Sequence, residues 1–243
     1  MTASKPLLSI VIPVYNEEKT IKDVLGAVSK VTIPKFEKEI LVVDDGSTDK
    51  TQKMIKEFIS KEGKIKFIIH ERNKGKGAAV ITGISEAKGD YIVIQDADLE
   101  YNPQDIIRLV AGIKDFNKDV IYGSRLRRLP HFGREEKTFR FILHYLGNKF
   151  LSLLTSVLYG KWVTDMETCY KLFPRKAALE LKLNARGFEL EPELTAKLLK
   201  RKLNLIEIPI TTTPRGYNEG KKLNTFRDGF KAVSTLVKYR FSS

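Results

Sequence analysis

The sequence contains few of the residues that build disulfide frameworks and zinc sites. Its 243 residues include one cysteine and three histidines. A single cysteine, Cys169, excludes an internal disulfide and any cysteine-rich zinc site. The histidines, at positions 70, 131 and 144, are scattered along the chain, which argues against a metal site built from imidazole groups.

Long uninterrupted apolar runs are also missing. A membrane-spanning helix needs about 18 or more apolar residues, and the nearest approach, Phe139–Tyr159, is interrupted by basic and polar residues. The first residues lack the long apolar region and the small-residue cleavage site of a signal peptide. The sequence therefore predicts a cytoplasmic protein, peripheral at the cytoplasmic face of the membrane.

Positive charge is abundant. Lys and Arg number 43 and Asp and Glu 30, which gives a net charge of +13. This balance indicates an anionic partner: a phosphorylated substrate, an acidic membrane surface or nucleic acid. No aromatic–basic motif typical of RNA recognition accompanies the charge, so no nucleic-acid partner is expected.

The first half of the sequence alternates apolar runs with amphipathic stretches. Apolar runs predict the strands Leu8–Val14, Glu39–Asp44, Lys66–His70, Tyr91–Gln95 and Val120–Gly123. Helical periodicity predicts the helices Glu17–Val31, Asp49–Ser60, Gly77–Lys88 and Pro103–Lys114. This alternation predicts an α/β fold with a mostly parallel sheet, and such sheets bind ligands at the carboxyl ends of their strands.

The pattern changes after Ser124. Two basic segments, Arg125–Lys137 and Thr211–Leu223, are predicted as loops, the first of them mobile. The elements predicted between and after them are the helices Thr138–Tyr159, Glu191–Lys202 and Phe226–Phe241, the extended segment Thr164–Phe173 and the strand Leu205–Pro209. No linker separates the halves, so we expect a single domain over residues 1–243, with a first half of about 1–124 and a second of about 125–243.

Three acidic residues follow the strand that begins at Tyr91. Asp96, Asp98 and Glu100 alternate in the run QDADLE. Releasing several carboxylates at the end of a buried strand is costly unless a cation binds there, and oxygen ligands suit Mg²⁺ or Mn²⁺. The alternative is an exposed acidic turn in which Asp98 or Asn102 caps the next helix.

Polar motifs also follow the other strands. In VVDDGSTDKT, helix-capping chemistry explains the glycine and the hydroxyls but not Asp44, which at a strand end can accept hydrogen bonds from a base or a ribose. After the first strand, the Tyr15 ring could pack against a base, and Glu17 could contact a ribose. The glycines of NKGKG would let a third loop approach a nucleotide closely, although alone they are weak evidence.

Taken together, PVYNE, DDGSTD, NKGKG, QDADLE and YGSR, in this order, resemble the motifs of glycosyltransferase family 2. The resemblance covers Leu7 to Arg125 strongly. Within the family the chain resembles the dolichyl-phosphate mannose synthases and polyprenyl-phosphate glucosyltransferases. That narrower match rests on DADLE followed by YNP and on GSR, which ends at Arg125. It also rests on Asp165 followed by Tyr170 and Lys171, and on the late segment RGYNEGK, which runs from Arg215 to Lys221. The chain departs from the pattern at Glu167 and Thr168, where these enzymes have small residues.

The resemblance implies a GT-A fold with a Rossmann-like sheet and C-terminal helices on the acceptor side. It implies a nucleotide-diphosphate sugar as donor, GDP-mannose or UDP-glucose, and Mg²⁺ or Mn²⁺ held by the three acidic residues. The residues it assigns to nucleotide-sugar binding are Pro13, Tyr15, Glu17, Asp44, Asp45, Lys76, Asp96 and Ala97. Those it places in catalysis are Asp98, Arg125, Asp165, Arg215 and Lys221.

The reaction implied is the inverting transfer of a hexose to dolichyl or polyprenyl phosphate. A phosphate monoester has a second pKa of about 6, so this acceptor is already anionic and needs no general base. Two alternatives stay open. One is a family 2 enzyme acting on a hydroxyl acceptor, for which Asp165 would become important; the other is a non-catalytic nucleotide-sugar-binding protein.

A broad apolar face is predicted on the helix Thr138–Tyr159. Its members are Phe139, Phe141, Ile142, Tyr145, Leu146, Phe150, Leu153, Leu154, Val157 and Leu158, and the flanking basic residues are Arg134, Lys137, Arg140, Lys149 and Lys161. This composition favours contact with an anionic membrane surface. Packing on the sheet, or a dimer interface in a homo-oligomer, are the alternatives. We expect Cys169 to be a small buried packing residue. Trp162 is also expected to pack, with a place in the sugar or lipid pocket as the alternative.

Overall fold

The computed structural model describes residues 4–125, 139–213 and 225–242, and a seven-stranded sheet forms its centre. The strands are β1 (Leu7–Val14), β2 (Glu37–Asp44), β3 (Ile65–Ile69), β4 (Tyr91–Ile94), β5 (Asp119–Ser124), β6 (Lys171–Pro174) and β7 (Asn204–Pro209). The helices are α1 (Ile21–Lys30), α2 (Thr51–Glu62), α3 (Lys76–Glu86), α4 (Asp105–Ala111), α5 (Phe139–Tyr159), α6 (Arg175–Glu180), α7 (Leu190–Lys200) and α8 (Thr225–Phe241).

The strand order is β3-β2-β1-β4-β6-β5-β7. β1 pairs in parallel with β2 and β4, β2 with β3, and β5 with β7. β6 is antiparallel to both of its neighbours, β4 and β5. The chain winds outward in one direction from β1 to β3 and in the other direction from β4. The carboxyl ends of β1 and β4 therefore meet at a switch point, where sheets of this type bind ligands.

Each face of the sheet is covered by its own hydrophobic core. In β1, Leu8, Ile10 and Ile12 face the core formed with α1, α2 and α4. Val11 faces the core on the opposite side, to which α3, α5, α6, α7 and α8 contribute. Because both faces are covered, the central strands are continuous apolar runs, which is why the sequence pattern predicts them well.

Several predicted boundaries and connections need correction. α1 begins at Ile21 and not at Glu17, because residues 17–20 form a turn in which the amides of Thr20 and Ile21 donate to the Glu17 carbonyl. The predicted extended segment Thr164–Phe173 forms a strand only from Lys171 onward. Helix α6 was not predicted, since its six residues are too few for a periodic pattern to be recognised.

In the part of the chain that the structure describes, no helix combines the length and the apolar character that crossing a bilayer would require.

Candidate active site

A cavity of about 430 Å³ lies at the carboxyl ends of β1 and β4. Residues that follow β1, β2, β4 and β5 reach it, together with the start of α3, one residue of α5 and the segment before β6. Ten of the predicted site residues line it: Pro13, Tyr15, Glu17, Asp45, Lys76, Asp96, Ala97, Asp98, Glu100 and Arg125. The topology thus brings together side chains that are more than a hundred residues apart in sequence.

The acidic residues after β4 lie on a tight turn. Leu99 adopts a φ of 63°, and the Glu100 amide donates to Asp98 Oδ1 at 3.1 Å. Burial raises the pKa of Asp98 to about 7, and the neighbouring carboxylates of Asp96 and Glu100 add to the effect. Ionisation of Asp98 is therefore opposed by its surroundings.

Asp96 has a different environment. Lys76 Nζ is 2.7 Å from Asp96 Oδ1 and 3.1 Å from Cys169 Sγ. Burial by itself would raise the pKa of Asp96, but the Lys76 ammonium and a hydrogen bond with the Cys169 thiol outweigh it and lower the pKa. Burial raises the pKa of the Cys169 thiol, which stays protonated. Cys169 thus lines the cavity instead of serving only as a packing residue.

The chemistry of the acidic turn fits a hard divalent cation. Within residues 4–125, 139–213 and 225–242, no three metal-ligating side chains converge, and Asp96 is instead paired with Lys76. Asp98 and Glu100 are the carboxylates that would hold Mg²⁺ or Mn²⁺, because a cation relieves the like-charge repulsion that disfavours ionisation of Asp98. The three-carboxylate metal site stays a prediction.

On the nucleoside side, Asp44 and Asp45 occupy different positions. Asp44 is fully buried behind the cavity wall, where its Oδ2 accepts from the Ser47 amide at 3.0 Å and Gln52 Nε2 at 2.7 Å. Its Oδ1 is buried and accepts no hydrogen bond from the described residues. Asp45 is the carboxylate that lines the cavity. The predicted contact of Asp44 with a base or ribose therefore stays a prediction, for which Oδ1 is the atom that could accept.

Asp45 fixes the loop before α3. It accepts from the amides of Lys74 at 3.0 Å and Gly75 at 2.7 Å, and His70 Nδ1 lies 2.7 Å from its Oδ1. A Cβ on Gly75 would lie 2.2 Å from the Arg186 carbonyl oxygen, and one on Gly77 would lie 2.6 Å from the Ala185 oxygen. The close approach that these glycines permit is thus to residues 185–187. Asn73, Gly75 and Lys76 also line the cavity, and an approach of this loop to a nucleotide stays a prediction.

On the opposite side of the cavity, Arg125 forms a bidentate pair with Asp165. Arg125 Nε and Nη2 donate to the two carboxylate oxygens at 2.8 and 2.9 Å, and the Arg125 amide donates to Oδ2 at 2.8 Å. Asp165 is fully buried. Burial would raise the pKa of Asp165, but the guanidinium outweighs it and lowers the pKa. Arg125 reaches the cavity, whereas Asp165 lies behind it and anchors the guanidinium.

Sequence patterns did not indicate several residues that line the cavity. Asn148 of α5, Glu167 before β6, and Gly187 and Phe188 before α7 are among them. Asn148 did carry a signal, since it interrupts an apolar helix and is buried. Glu167 carried another, because it departs from the small residue that the family resemblance leads one to expect. Neither signal could be interpreted before the topology was known.

The late basic residues Arg215 and Lys221 lie outside the described residues. The segment just before them is described. Tyr101 and Thr212 form an isolated antiparallel bridge, and the Thr213 amide donates to the Glu100 carbonyl at 3.0 Å. The chain therefore passes the acidic turn two residues before Arg215.

Comparisons with known proteins identify relatives and similar folds. A UDP-N-acetylglucosamine–dolichyl-phosphate N-acetylglucosaminyltransferase from Methanococcus voltae is 33% identical over 95% of each chain. The low-salt glycan biosynthesis hexosyltransferase Agl6 from Haloferax volcanii is 30% identical over 96% of this chain and 53% of its own length.

Among solved structures, the glucosyl-3-phosphoglycerate synthase of Mycobacterium tuberculosis in complex with Mn²⁺, uridine diphosphate and phosphoglyceric acid superimposes with a TM-score of 0.69. The superposition covers 98% of this chain and 80% of that chain at 20% identity, which establishes the GT-A fold. The model of glycosyl transferase family 2 matches residues 9–181. The predicted fold and family are thereby confirmed, and the chain is a member of glycosyl transferase family 2.

Proposed function

We propose that this glycosyltransferase moves a sugar from a nucleotide diphosphate, with a divalent cation, onto dolichyl or another polyprenyl phosphate. The observation that carries the proposal is the meeting of two groups in one cavity: the acidic turn of Asp96, Asp98 and Glu100, and the guanidinium of Arg125. The first suits a cation bound to the donor diphosphate. The second suits phosphate oxygens, because Asp165 takes one hydrogen each from Nε and Nη2 and leaves the other guanidinium hydrogens of Arg125 to face a ligand.

The state of Asp165 supports a phosphate acceptor. A hydroxyl acceptor needs a general base. Both oxygens of Asp165 already accept hydrogen bonds from Arg125, and the guanidinium stabilises the carboxylate form, so Asp165 is a poor proton acceptor. A lipid monophosphate needs no base and requires positive charge and positioning. The geometry therefore favours the phosphate acceptor over the hydroxyl acceptor.

In the proposed mechanism the nucleotide lies against Tyr15, Glu17 and Asp45, on the side of the cavity where β1 and β2 end. When bound at Asp98 and Glu100, the cation would neutralise charge on the departing diphosphate. Arg125, held by Asp165, orients the attacking phosphate. By family resemblance the displacement inverts the anomeric centre in one step.

The late basic loop supports the same assignment. Thr213 is hydrogen-bonded to the backbone of the acidic turn, and Arg215 follows two residues later. We propose that Arg215 and Lys221 bind the phosphates gathered at the cavity, which accounts for cationic residues at this point of the sequence.

For the donor, the archaeal relative named for UDP-N-acetylglucosamine and dolichyl phosphate is similar over nearly its whole length. It favours a UDP-sugar over GDP-mannose, one of the two donors that the family resemblance implies. We propose UDP-N-acetylglucosamine as the first donor to test, with UDP-glucose and GDP-mannose as alternatives.

The proposal is tested by incubating the protein with each radiolabelled donor, Mn²⁺ or Mg²⁺, and a short polyprenyl phosphate. We expect label from one donor to enter the organic phase. Label that enters only water-soluble products would support the hydroxyl acceptor. Metal-dependent binding of the nucleotide sugar without turnover would support the non-catalytic alternative. Either result contradicts the proposed function.

We also propose that helix α5 contacts the membrane in which the acceptor lies. The polar side of α5 faces the protein interior, where Asn148, Ser152 and Thr155 are buried. Large apolar side chains are exposed along the other side of the helix. This exposed apolar face consists of Ile142, Leu146, Phe150, Leu153 and Val157. Leu154 and Leu158 from the predicted face instead pack against the core, and Phe139 and Phe141 have side chains outside the described set.

Neighbouring residues extend this surface. Trp162, expected to be a packing residue, is 72% exposed shortly after α5, and α8, which packs on α5, exposes Phe230 and Phe241. Exposed lysines, such as Lys161 and Lys238, add positive charge. Apolar side chains with basic neighbours bind anionic bilayers. That the protein binds the cytoplasmic face of the membrane stays a prediction.

Replacing Phe150 and Val157 by Glu is expected to abolish binding to vesicles of phosphatidylcholine and phosphatidylglycerol without changing the melting temperature, because both side chains are exposed. Leu179→Glu, an exposed leucine on α6, is the matched control and should bind as the wild type does. Vesicle co-sedimentation measures the effect. Undiminished binding of the double variant would contradict the membrane contact.

A further inference from the structure

Glu167 is a half-buried residue whose carboxyl group none of the roles above uses. It lies between Asp165 and the start of β6, and its side chain lines the cavity on the side of Arg125 and Asn148. Its Oε1 is shielded from water and has no hydrogen-bond partner among the described residues. A carboxylate oxygen in that position is costly unless it remains uncharged or meets a ligand.

The nearby cations do not supply the missing partner. Lys171 Nζ donates to the Met166 carbonyl at 2.9 Å, to the Thr168 carbonyl at 2.5 Å and to Glu191 Oε2, which uses all three of its hydrogens. Nε and Nη2 of Arg125 donate to Asp165. Each cation is thus paired with another carboxylate, and Glu167 is left over.

The electrostatics agree with this arrangement. The pKa of Glu167 is raised to about 7, chiefly by burial; Lys171 and Arg125 lower it, and Glu191 and Asp165 raise it. Near neutral pH the group therefore holds a proton for much of the time. A protonated carboxyl is a hydrogen-bond donor, whereas its ionised form repels an approaching phosphate.

We propose that Glu167 is an acceptor-recognition residue, whose uncharged carboxyl group donates a hydrogen bond to a phosphate oxygen of the acceptor. This inference rests on the proposed function. It assigns the side of the cavity away from Tyr15 and Asp45 to the acceptor phosphate, with Arg125 supplying charge and Glu167 supplying a neutral donor.

The test compares wild type and Glu167→Gln, using short polyprenyl phosphate, Mn²⁺ and the donor that labels the organic phase. In the wild type, the KM for polyprenyl phosphate should rise about tenfold per pH unit above pH 7, because the protonated fraction of Glu167 falls at that rate. The donor KM should stay constant. The acceptor's own second pKa is about 6, so its charge changes little in this range.

Glutamine keeps a hydrogen donor and cannot ionise. The Glu167→Gln variant should therefore keep a low acceptor KM to about pH 9, while its donor KM matches the wild type. Glu62→Gln, at an exposed carboxylate on α2, is the matched control and should reproduce the wild-type profile. If the glutamine variant does not fold, the wild type alone tests the inference. The KM for polyprenyl phosphate must then rise above pH 7 while the KM for the donor stays constant.

Three results would overturn the inference. Equal pH profiles of acceptor KM in wild type and Glu167→Gln would show that this carboxyl does not contact the acceptor. Activity that rises with pH through 7 in the wild type and is lost in Glu167→Gln would identify Glu167 as a general base for a hydroxyl. A wild type that never labels the organic phase would overturn the proposed function and this inference together.

Discussion

The Asp98→Asn variant is expected to lose about a thousandfold in kcat/KM, since a metal ion contributes several kcal/mol to stabilising a transition state of this kind. The substitution keeps the size of the side chain and removes only its charge. Radiometric transfer to polyprenyl phosphate at saturating Mn²⁺ measures the loss. Asp23→Asn, an exposed carboxylate in the first turn of α1, is the control and should be fully active.

The thermal stability of Asp98→Asn should not decrease along with its activity. The folded-state pKa of Asp98 is raised, so its ionisation disfavours the folded protein as pH rises from the unfolded value to about 7. Without metal above pH 7, Asp98→Asn should therefore melt no lower than the wild type. Because protons compete with the cation for Asp98, wild-type affinity for Mn²⁺ should fall below pH 7. Activity that survives both the substitution and chelation of metal would contradict the metal assignment.

Replacing Arg125 by Met should lower the free energy of unfolding by about 3 to 5 kcal/mol, because it leaves Asp165 buried without its counterion. Denaturant unfolding at neutral pH measures this. The guanidinium lowers the pKa of Asp165, so the pair stabilises the fold above the unfolded pKa of aspartate. That contribution disappears as pH falls through the lowered folded pKa, and the difference between wild type and variant should shrink accordingly.

The double variant Arg125→Met, Asp165→Asn tests the cause of this loss. Removing the orphaned charge should recover much of the stability, although transfer activity should stay low because the guanidinium proposed to bind phosphate is absent. If the double variant is as unstable as Arg125→Met, the loss arises from packing of the Arg125 side chain and not from the buried charge.

Much of this architecture could be predicted because local patterns determine it. β1, β2 and β4 are buried on both faces and therefore appear as continuous apolar runs, and the polar motifs that follow them must lie at one edge of the sheet. The position of the acidic turn beside Tyr15 and Glu17 follows from that rule alone.

Other features depend on contacts that no local pattern encodes. The pairing of Arg125 with Asp165 joins residues 40 positions apart, and Asp165 could be interpreted as a base until both of its oxygens were seen to be occupied. The pairing of Lys76 with Asp96 across 20 residues likewise competes with the predicted metal ligation. The exposed side of α5 was predicted only in part. A polar side of a helix can face inward when it borders a cavity, as it does at Asn148.

The reversed strand β6 decides whether the two halves of the chain can exist apart. β5 belongs to the first half by sequence, yet it reaches β4 only through β6, which is made some fifty residues later. In a fragment ending at Ser124, one edge of β4 would be unpaired and β5 would have no neighbouring strand. Unpaired strand edges make such a fragment prone to associate with other chains. During synthesis on the ribosome, the sheet of the first half should therefore stay incomplete until residues 171–174 have emerged.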